Sequence, residues 1–134
     1  MHNKLTFIIQ LEIPIRWTDM DAYGHVNNAK YFEYMSEARI QYLEKYFLNS
    51  PFQFVVAETN CVYKKPLEYP GTVLLKLFLE EVGHSYFIIY YEFYLANDAS
   101  NTLYATSMAK MVCFDPVKKR VARIPEIVLE KLKI

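Results

Sequence analysis

The feature that most constrains this chain is a change of hydrophobic period. From Ala29 to Phe47, Tyr31, Met35, Ala38, Tyr42 and Tyr46 recur at three- and four-residue steps, while Lys30, Glu33, Glu37, Gln41 and Glu44 take the opposite face. That is the signature of an amphipathic helix. On both sides of it the sequence reads as strand. Leu5 to Trp17 is rich in Ile, Leu and Phe, and four further strands are expected over Phe54–Lys65, Thr72–Val82, Ser85–Ala96 and Thr102–Phe114. In the second of these four, Val73, Leu75, Leu77 and Leu79 alternate against Lys76 and Glu80, as one buried face requires. Ser85–Ala96 is dense in Tyr, Phe and Ile, as a strand buried on much of both faces would be, and its Tyr86–Tyr91 run reads as packed core.

Short polar or Pro/Gly turns punctuate these runs: Pro66–Gly71, Gly83-His84, Asn97–Asn101 and Asp115-Pro116. Connections this short force antiparallel pairing, because parallel neighbours need crossovers of a dozen or more residues. One curved sheet can then bury its concave face only by wrapping the single long helix. The expected fold is α+β: an antiparallel sheet of about five strands around one central helix, in one domain spanning 1–134. Asn49, Ser50 and Pro51 are expected to stop the helix. Pro125 opens a short C-terminal helix carrying Ile127, Val128, Leu129 and Leu132, since proline suits a first helical turn.

Composition excludes several classes. A 53% hydrophobic chain whose 15 basic residues balance 15 acidic ones is not disordered. The same balance gives no net pull toward nucleic acid or an anionic membrane. Cys61 and Cys113 form neither a disulfide framework nor a Cys-x-x-Cys metal motif, so no metal is expected. No apolar run approaches the ~20 residues of a membrane-spanning helix, and Gln10, Glu12 and Pro14 interrupt what would be a secretory signal. The expectation is a cytoplasmic protein with neither nucleic-acid nor membrane partners.

The chemistry-bearing residues gather between the first strand and the helix, in the run from Arg16 to Asn28. Asp19, Asp21, Gly24, His25, Asn27 and Asn28 all fall here. A helix N-terminus offers unpaired backbone N–H groups and a favourable dipole for negative charge. A carbonyl oxygen held there would be polarised, and a nearby carboxylate could attack its carbon or activate water. The same residues could serve only structure: Asn27 or Asn28 is a good helix cap, and either aspartate could bind loop backbone.

The string Asp19-Met20-Asp21-Ala22-Tyr23-Gly24-His25-Val26-Asn27-Asn28, followed by Tyr31-Phe32 and Glu37-Ala38-Arg39, resembles the hotdog-fold thioesterases. The match is to the 4-hydroxybenzoyl-CoA thioesterase branch and its acyl-CoA thioesterase relatives. The order of elements, with Pro66 after the second strand and Asp115-Pro116 after the last, fits the same family. The resemblance implies hydrolysis of an acyl-CoA to free acid and CoA, with CoA part of the substrate and no separate cofactor. It implies dimers made by pairing sheet edges, frequently assembled into tetramers, with active sites at the dimer interface. The catalytic carboxylate of the family matches Asp21, as nucleophile or general base, and Asp19 matches a loop-ordering position. Gly24, His25 and Val26 match the turn whose backbone N–H groups would polarise the thioester carbonyl. Asn27 and Asn28 would cap the helix and shape the pocket, and Tyr31 would line the acyl site.

The string is also similar to plant-type acyl-ACP thioesterases, which carry two tandem repeats where this chain has room for one. An acyl-carrier-protein substrate and a non-catalytic acyl-binding protein stay open as alternatives. A dehydratase has a different signature. Glu33 or Glu37 would be the catalyst only if this chain followed a branch that uses a helix carboxylate. Because CoA carries phosphates, Lys64 and Lys65 are candidate contacts. Lys118, Lys119, Arg120 and Arg123 form another cationic group, and His84-Ser85 is a further candidate at its turn.

Overall fold

In the computed structural model, which describes residues 5–47 and 50–132, the expected layers are present. The elements are β1 (Thr6–Pro14), α1 (Asn28–Phe47), β2 (Gln53–Tyr63), β3 (Thr72–Val82), β4 (Tyr86–Leu95), β5 (Ala105–Asp115), a two-residue β6 (Arg120–Val121) and α2 (Glu126–Leu132). Five long strands form one antiparallel sheet in the order β1-β3-β4-β5-β2, and β6 pairs with the end of β5. This is the hotdog arrangement.

The core lies between the concave face of the sheet and α1. Val73, Leu75, Leu77 and Leu79 on β3 are buried, as are Phe87, Ile89, Tyr91 and Phe93 on β4 and Ala105, Ala109 and Met111 on β5. The helix contributes Tyr31, Tyr34, Met35, Ala38 and Leu43. Its expected polar residues Glu33, Glu37, Gln41 and Glu44 are exposed. The side chain of Tyr46 and the stop residue Asn49 lie outside the described residues.

Several boundaries differ from the sequence expectation: β2 ends at Tyr63 instead of Lys65, and β5 begins at Ala105 instead of Thr102. β1 ends at Pro14 instead of running to Trp17, and Trp17–Asp19 forms a 3-10 turn. The Arg16 amide donates to Asp19 Oδ2 at 3.0 Å, which closes that turn and removes the segment from the ladder. β4, expected to be buried on much of both faces, alternates between half-buried and buried residues from Tyr86 to Phe93. Its second face is the convex side of the sheet.

The register defines two ends of the molecule. Pro14 pairs with Thr72, Val73 with Leu95, and Tyr63 with Ala105, so the run after β1, the residues after β2 and the start of α1 share one end. The β3–β4 turn, the end of β5 and β6 lie at the other.

Candidate active site

The loop 16–27 is built around two carboxylates with opposite surroundings. Asp19 is fully buried. It accepts the Arg16 amide, the Tyr34 hydroxyl at 2.8 Å and the Arg16 guanidinium at 3.4 Å. Its backbone carbonyl accepts the Asn27 N–H at 2.9 Å. Burial alone would raise the Asp19 pKa. The hydrogen bonds from Arg16 and Tyr34, and the Arg16 charge, outweigh that and hold it below the ordinary carboxylate value. Burial also pushes the Tyr34 hydroxyl up, helped by the Asp19 carboxylate. Asp19 therefore ties the loop to the helix.

Asp21 is half-exposed. Its Oδ1 accepts the backbone N–H groups of Tyr23 at 2.9 Å and His25 at 3.1 Å, and its own amide donates to the His25 carbonyl at 2.7 Å. The turn this closes carries Gly24 at φ +79°, a left-handed conformation that favours glycine. The His25 amide holds the Asp21 carboxyl below its usual range. Partial burial opposes this, and the Tyr23 amide and the His25 side chain add to the lowering. Oδ2 accepts nothing from the described residues.

Asn27 is the helix cap. Its side chain accepts the Ala29 N–H at 2.9 Å and its carbonyl accepts the Lys30 N–H at 2.8 Å. The Gly24, His25 and Val26 amides, which the resemblance casts as carbonyl donors, have partners within the protein. Gly24 N–H donates to the Asp21 carbonyl, His25 N–H to Asp21 Oδ1, and Val26 N–H to the Leu67 carbonyl at 2.8 Å. All three are consumed in shaping the loop. The Asn28 N–H, in the first turn of α1, has no acceptor among the described residues.

Asp21 lines two clefts. One, of about 220 Å³, also touches His25, Val26, Asn28, Tyr31, Tyr63, Lys64, Lys65 and Pro66. The other, of about 640 Å³, runs past Trp17, Thr18, Met20 and Tyr69. The first cleft gathers most of the residues singled out in the sequence. Tyr31 is buried there, its ring packed edge-on to Tyr63 at 4.8 Å and tilted against Phe93 at 5.3 Å. Burial raises the Tyr31 pKa, so the ring presents a neutral wall. The His25 imidazole lies 3.7 Å from Glu68. Lys64 and Lys65 are exposed at the mouth, their amides anchored on the Tyr104 carbonyl at 2.9 and 3.1 Å.

The structure does not bring His84 and Ser85 to this cleft. They occupy the β3–β4 turn at the far end of the strands, as do Lys118, Lys119, Arg120 and Arg123 beyond β5. Glu33 and Glu37 line a third cleft, toward β1, with Ile13, Arg16 and Tyr34. Among the described residues no group of three or more His, Cys, Asp or Glu could hold a metal ion.

Sequence reasoning missed Tyr63, whose hydroxyl donates to the Asn28 carbonyl at 2.9 Å. That contact spans 35 residues and depends on where β2 lies beside the helix. No local pattern encodes it.

A family model described as the thioesterase-like superfamily matches residues 15–132. The long-chain acyl-CoA thioesterase FadM of Escherichia coli is 25% identical over 130 residues, covering 93% of this chain and 97% of that one. A solved structure of a Pseudomonas aeruginosa protein, provisionally assigned as a thioesterase, superposes with a TM-score of 0.85 at 29% identity, covering 96% of this chain and 99% of that one. Another, from Xanthomonas campestris and provisionally assigned as an acyl-CoA thioesterase, gives 0.79 at 33% identity over 89% of this chain and 100% of its own.

Proposed function

This chain belongs to the thioesterase-like superfamily, and from that premise we propose that it hydrolyses an acyl-CoA thioester to the free acid and CoA. The observation that carries the reading is the state of Asp21. One of its oxygens is fixed by two backbone amides and the other accepts nothing from the described residues. The carboxyl is held ionised by its partners, on a cleft shared with the unpaired Asn28 N–H.

In this reading the thioester carbonyl oxygen docks against the Asn28 N–H, where the helix dipole favours the charge that develops. Asp21 Oδ2 faces the carbonyl carbon, as nucleophile or as base for a water. As a base, Asp21 takes the proton of the attacking water, and collapse of the tetrahedral intermediate releases the free acid and the CoA thiolate; as a nucleophile, collapse expels the thiolate and leaves an acyl anhydride on Asp21, which water then hydrolyses to the free acid. Lys64 and Lys65 stand at the cleft mouth to meet CoA phosphates. CoA arrives with the substrate, and no step calls for a separate cofactor.

Self-association belongs to the same proposal. β2 is an 11-residue edge strand exposed along most of both faces, with Val55, Val56, Val62 and Tyr63 presented to solvent. An edge of this length and character is a template for pairing, and a second copy would cover it beside the cleft, as a dimer or within a tetramer. Two unpaired thiols, Cys61 and Cys113, fit a reducing, cytoplasmic setting. No helix among the described residues is long and apolar enough to cross a membrane.

The test is a panel of acyl-CoAs assayed with a thiol-detecting reagent. Stoichiometric CoA release on at least one acyl group is the expected result. Tight acyl-CoA binding with no thiol released from any member would replace the hydrolase with a binding protein.

A further inference from the structure

We infer that the acyl group of the substrate lies in the second cleft beside Asp21, against Trp17, Met20 and Tyr69, while the CoA arm leaves through the first. The inference rests on the hydrolase reading above and adds the subsite that selects the acyl group. It differs from the resemblance, which puts the acyl group at Tyr31. Asp21 is the one residue common to the linings of the two clefts. A thioester carbon held at its Oδ2 carries two substituents besides oxygen, the sulfur arm and the acyl chain. The two clefts that meet at Asp21 differ in chemistry. The first, of about 220 Å³, opens past Lys64 and Lys65 and suits a narrow arm that ends in phosphates. The second, of about 640 Å³, has Asp21 as its only charged lining residue among the described residues. A phosphate would find no cation there and would be repelled by the carboxylate. An apolar chain meets no such cost, and the volume is that of an ordinary small-molecule site.

The walls of the second cleft present apolar surface on fixed backbone. Trp17 is 72% exposed and Tyr69 46% exposed. Single exposed apolar side chains are ordinary, but two large aromatic residues lining one cleft beside a carboxylate mark a contact surface. Trp17 opens the 3-10 turn that Asp19 closes onto the Arg16 amide, and the Met20 N–H donates to the Trp17 carbonyl at 3.2 Å. Tyr69 lies between β2 and β3, on a segment pinned to the loop on either side of it. The Val26 N–H donates to the Leu67 carbonyl at 2.8 Å, and the Ile15 N–H to the Gly71 carbonyl at 2.9 Å. The backbones that carry Trp17 and Tyr69 therefore keep their separation without a ligand, and a preformed wall spares most of the ordering cost of binding.

Trp17 is the only tryptophan of the chain, so its fluorescence reads occupancy of the second cleft independently of turnover. The wild type is titrated with CoA, with 2-oxopropyl-CoA and with 2-oxononyl-CoA, ketones whose carbonyl is set off from sulfur by a methylene and cannot be hydrolysed. Calorimetry scores binding in parallel. The long ketone should move Trp17 emission to shorter wavelength, and CoA and the short ketone should leave it nearly in place. In turnover, Trp17→Ala should lower the octanoyl-CoA to butanoyl-CoA ratio of kcat/KM by about tenfold, and Trp17→Phe should keep most of it. Binding of the long ketone with no change in emission overturns the inference while leaving the hydrolase reading intact. So does an equal shift with CoA alone, which would put the CoA arm in this cleft, and so does an unchanged ratio in Trp17→Ala. A shift with the long ketone but no thiol release from any acyl-CoA overturns hydrolysis and keeps the acyl cleft. No binding of any of the three overturns both.

Discussion

The two halves of the loop between β1 and α1 make different use of the same chemical group. Around Asp19 every carboxylate oxygen is spent on Arg16 or Tyr34, and the side chain is sealed from water. Two residues later, Asp21 spends one oxygen on the backbone of its own turn and keeps the other free at a cleft. Both carboxyls are held below the ordinary pKa, by different means. Side chains, a backbone amide and a neighbouring charge overcome burial at Asp19. Backbone amides do most of the work at Asp21. In the proposed reading, rigidity and reactivity are divided between these neighbours: one aspartate fixes the loop so that the other need not.

The largest effect expected from breaking this division is catalytic. Asp21→Asn keeps an oxygen for the Tyr23 and His25 amides, so the loop should hold, with only a small fall in the thermal midpoint as a neutral acceptor replaces a charged one. The rate should nevertheless fall by about 10²–10⁴-fold, read as kcat/KM on the best acyl-CoA. Asp19→Asn should reverse the pattern, costing about 1–3 kcal/mol of stability through impaired buried hydrogen bonds, measured by denaturant unfolding at neutral pH. Its pH dependence sharpens the comparison. A carboxyl whose folded pKa is depressed contributes stability above its unfolded value of about 3.9 and loses it as pH falls through the folded value. The gap between wild type and Asp19→Asn should therefore be widest at neutral pH and close below about pH 4.

A smaller loss, about 1 kcal/mol, is expected when Asn27→Ala removes the cap that fixes the Ala29 amide. Unfolding midpoints check it. The smallest effect belongs to the cleft mouth. Lys64→Ala with Lys65→Ala should raise KM a few-fold, on the order of 1 kcal/mol or less, with kcat nearly constant, because exposed charges contribute weak uniform binding. Added salt should shrink that difference.

The helix, the strands and their antiparallel pairing were legible because each rests on a local period: Tyr31, Met35 and Ala38 for the helix, and Val73, Leu75, Leu77 and Leu79 for a strand. The Asp-x-Asp string likewise exposed the candidate site, since its residues are contiguous and meet in one turn. What escaped depends on register. The loss of Arg16 and Trp17 from the first strand follows from an Asp19 side chain folding back. The partners of the Gly24, His25 and Val26 amides, in the Asp21 turn and at Leu67, likewise appear only once the loop is folded, which is why the proposed carbonyl donor is the Asn28 N–H instead. The side-chain bond from Tyr63 to Asn28 exists only once β2 is laid beside α1.

The most direct test is a crystal structure of Asp21→Asn with an uncleaved acyl-CoA bound. The account predicts the thioester oxygen about 3 Å from the Asn28 backbone nitrogen and the side chain at position 21 beside the carbonyl carbon. A thioester bound at another surface, or with its carbonyl turned away from the start of α1, would contradict it.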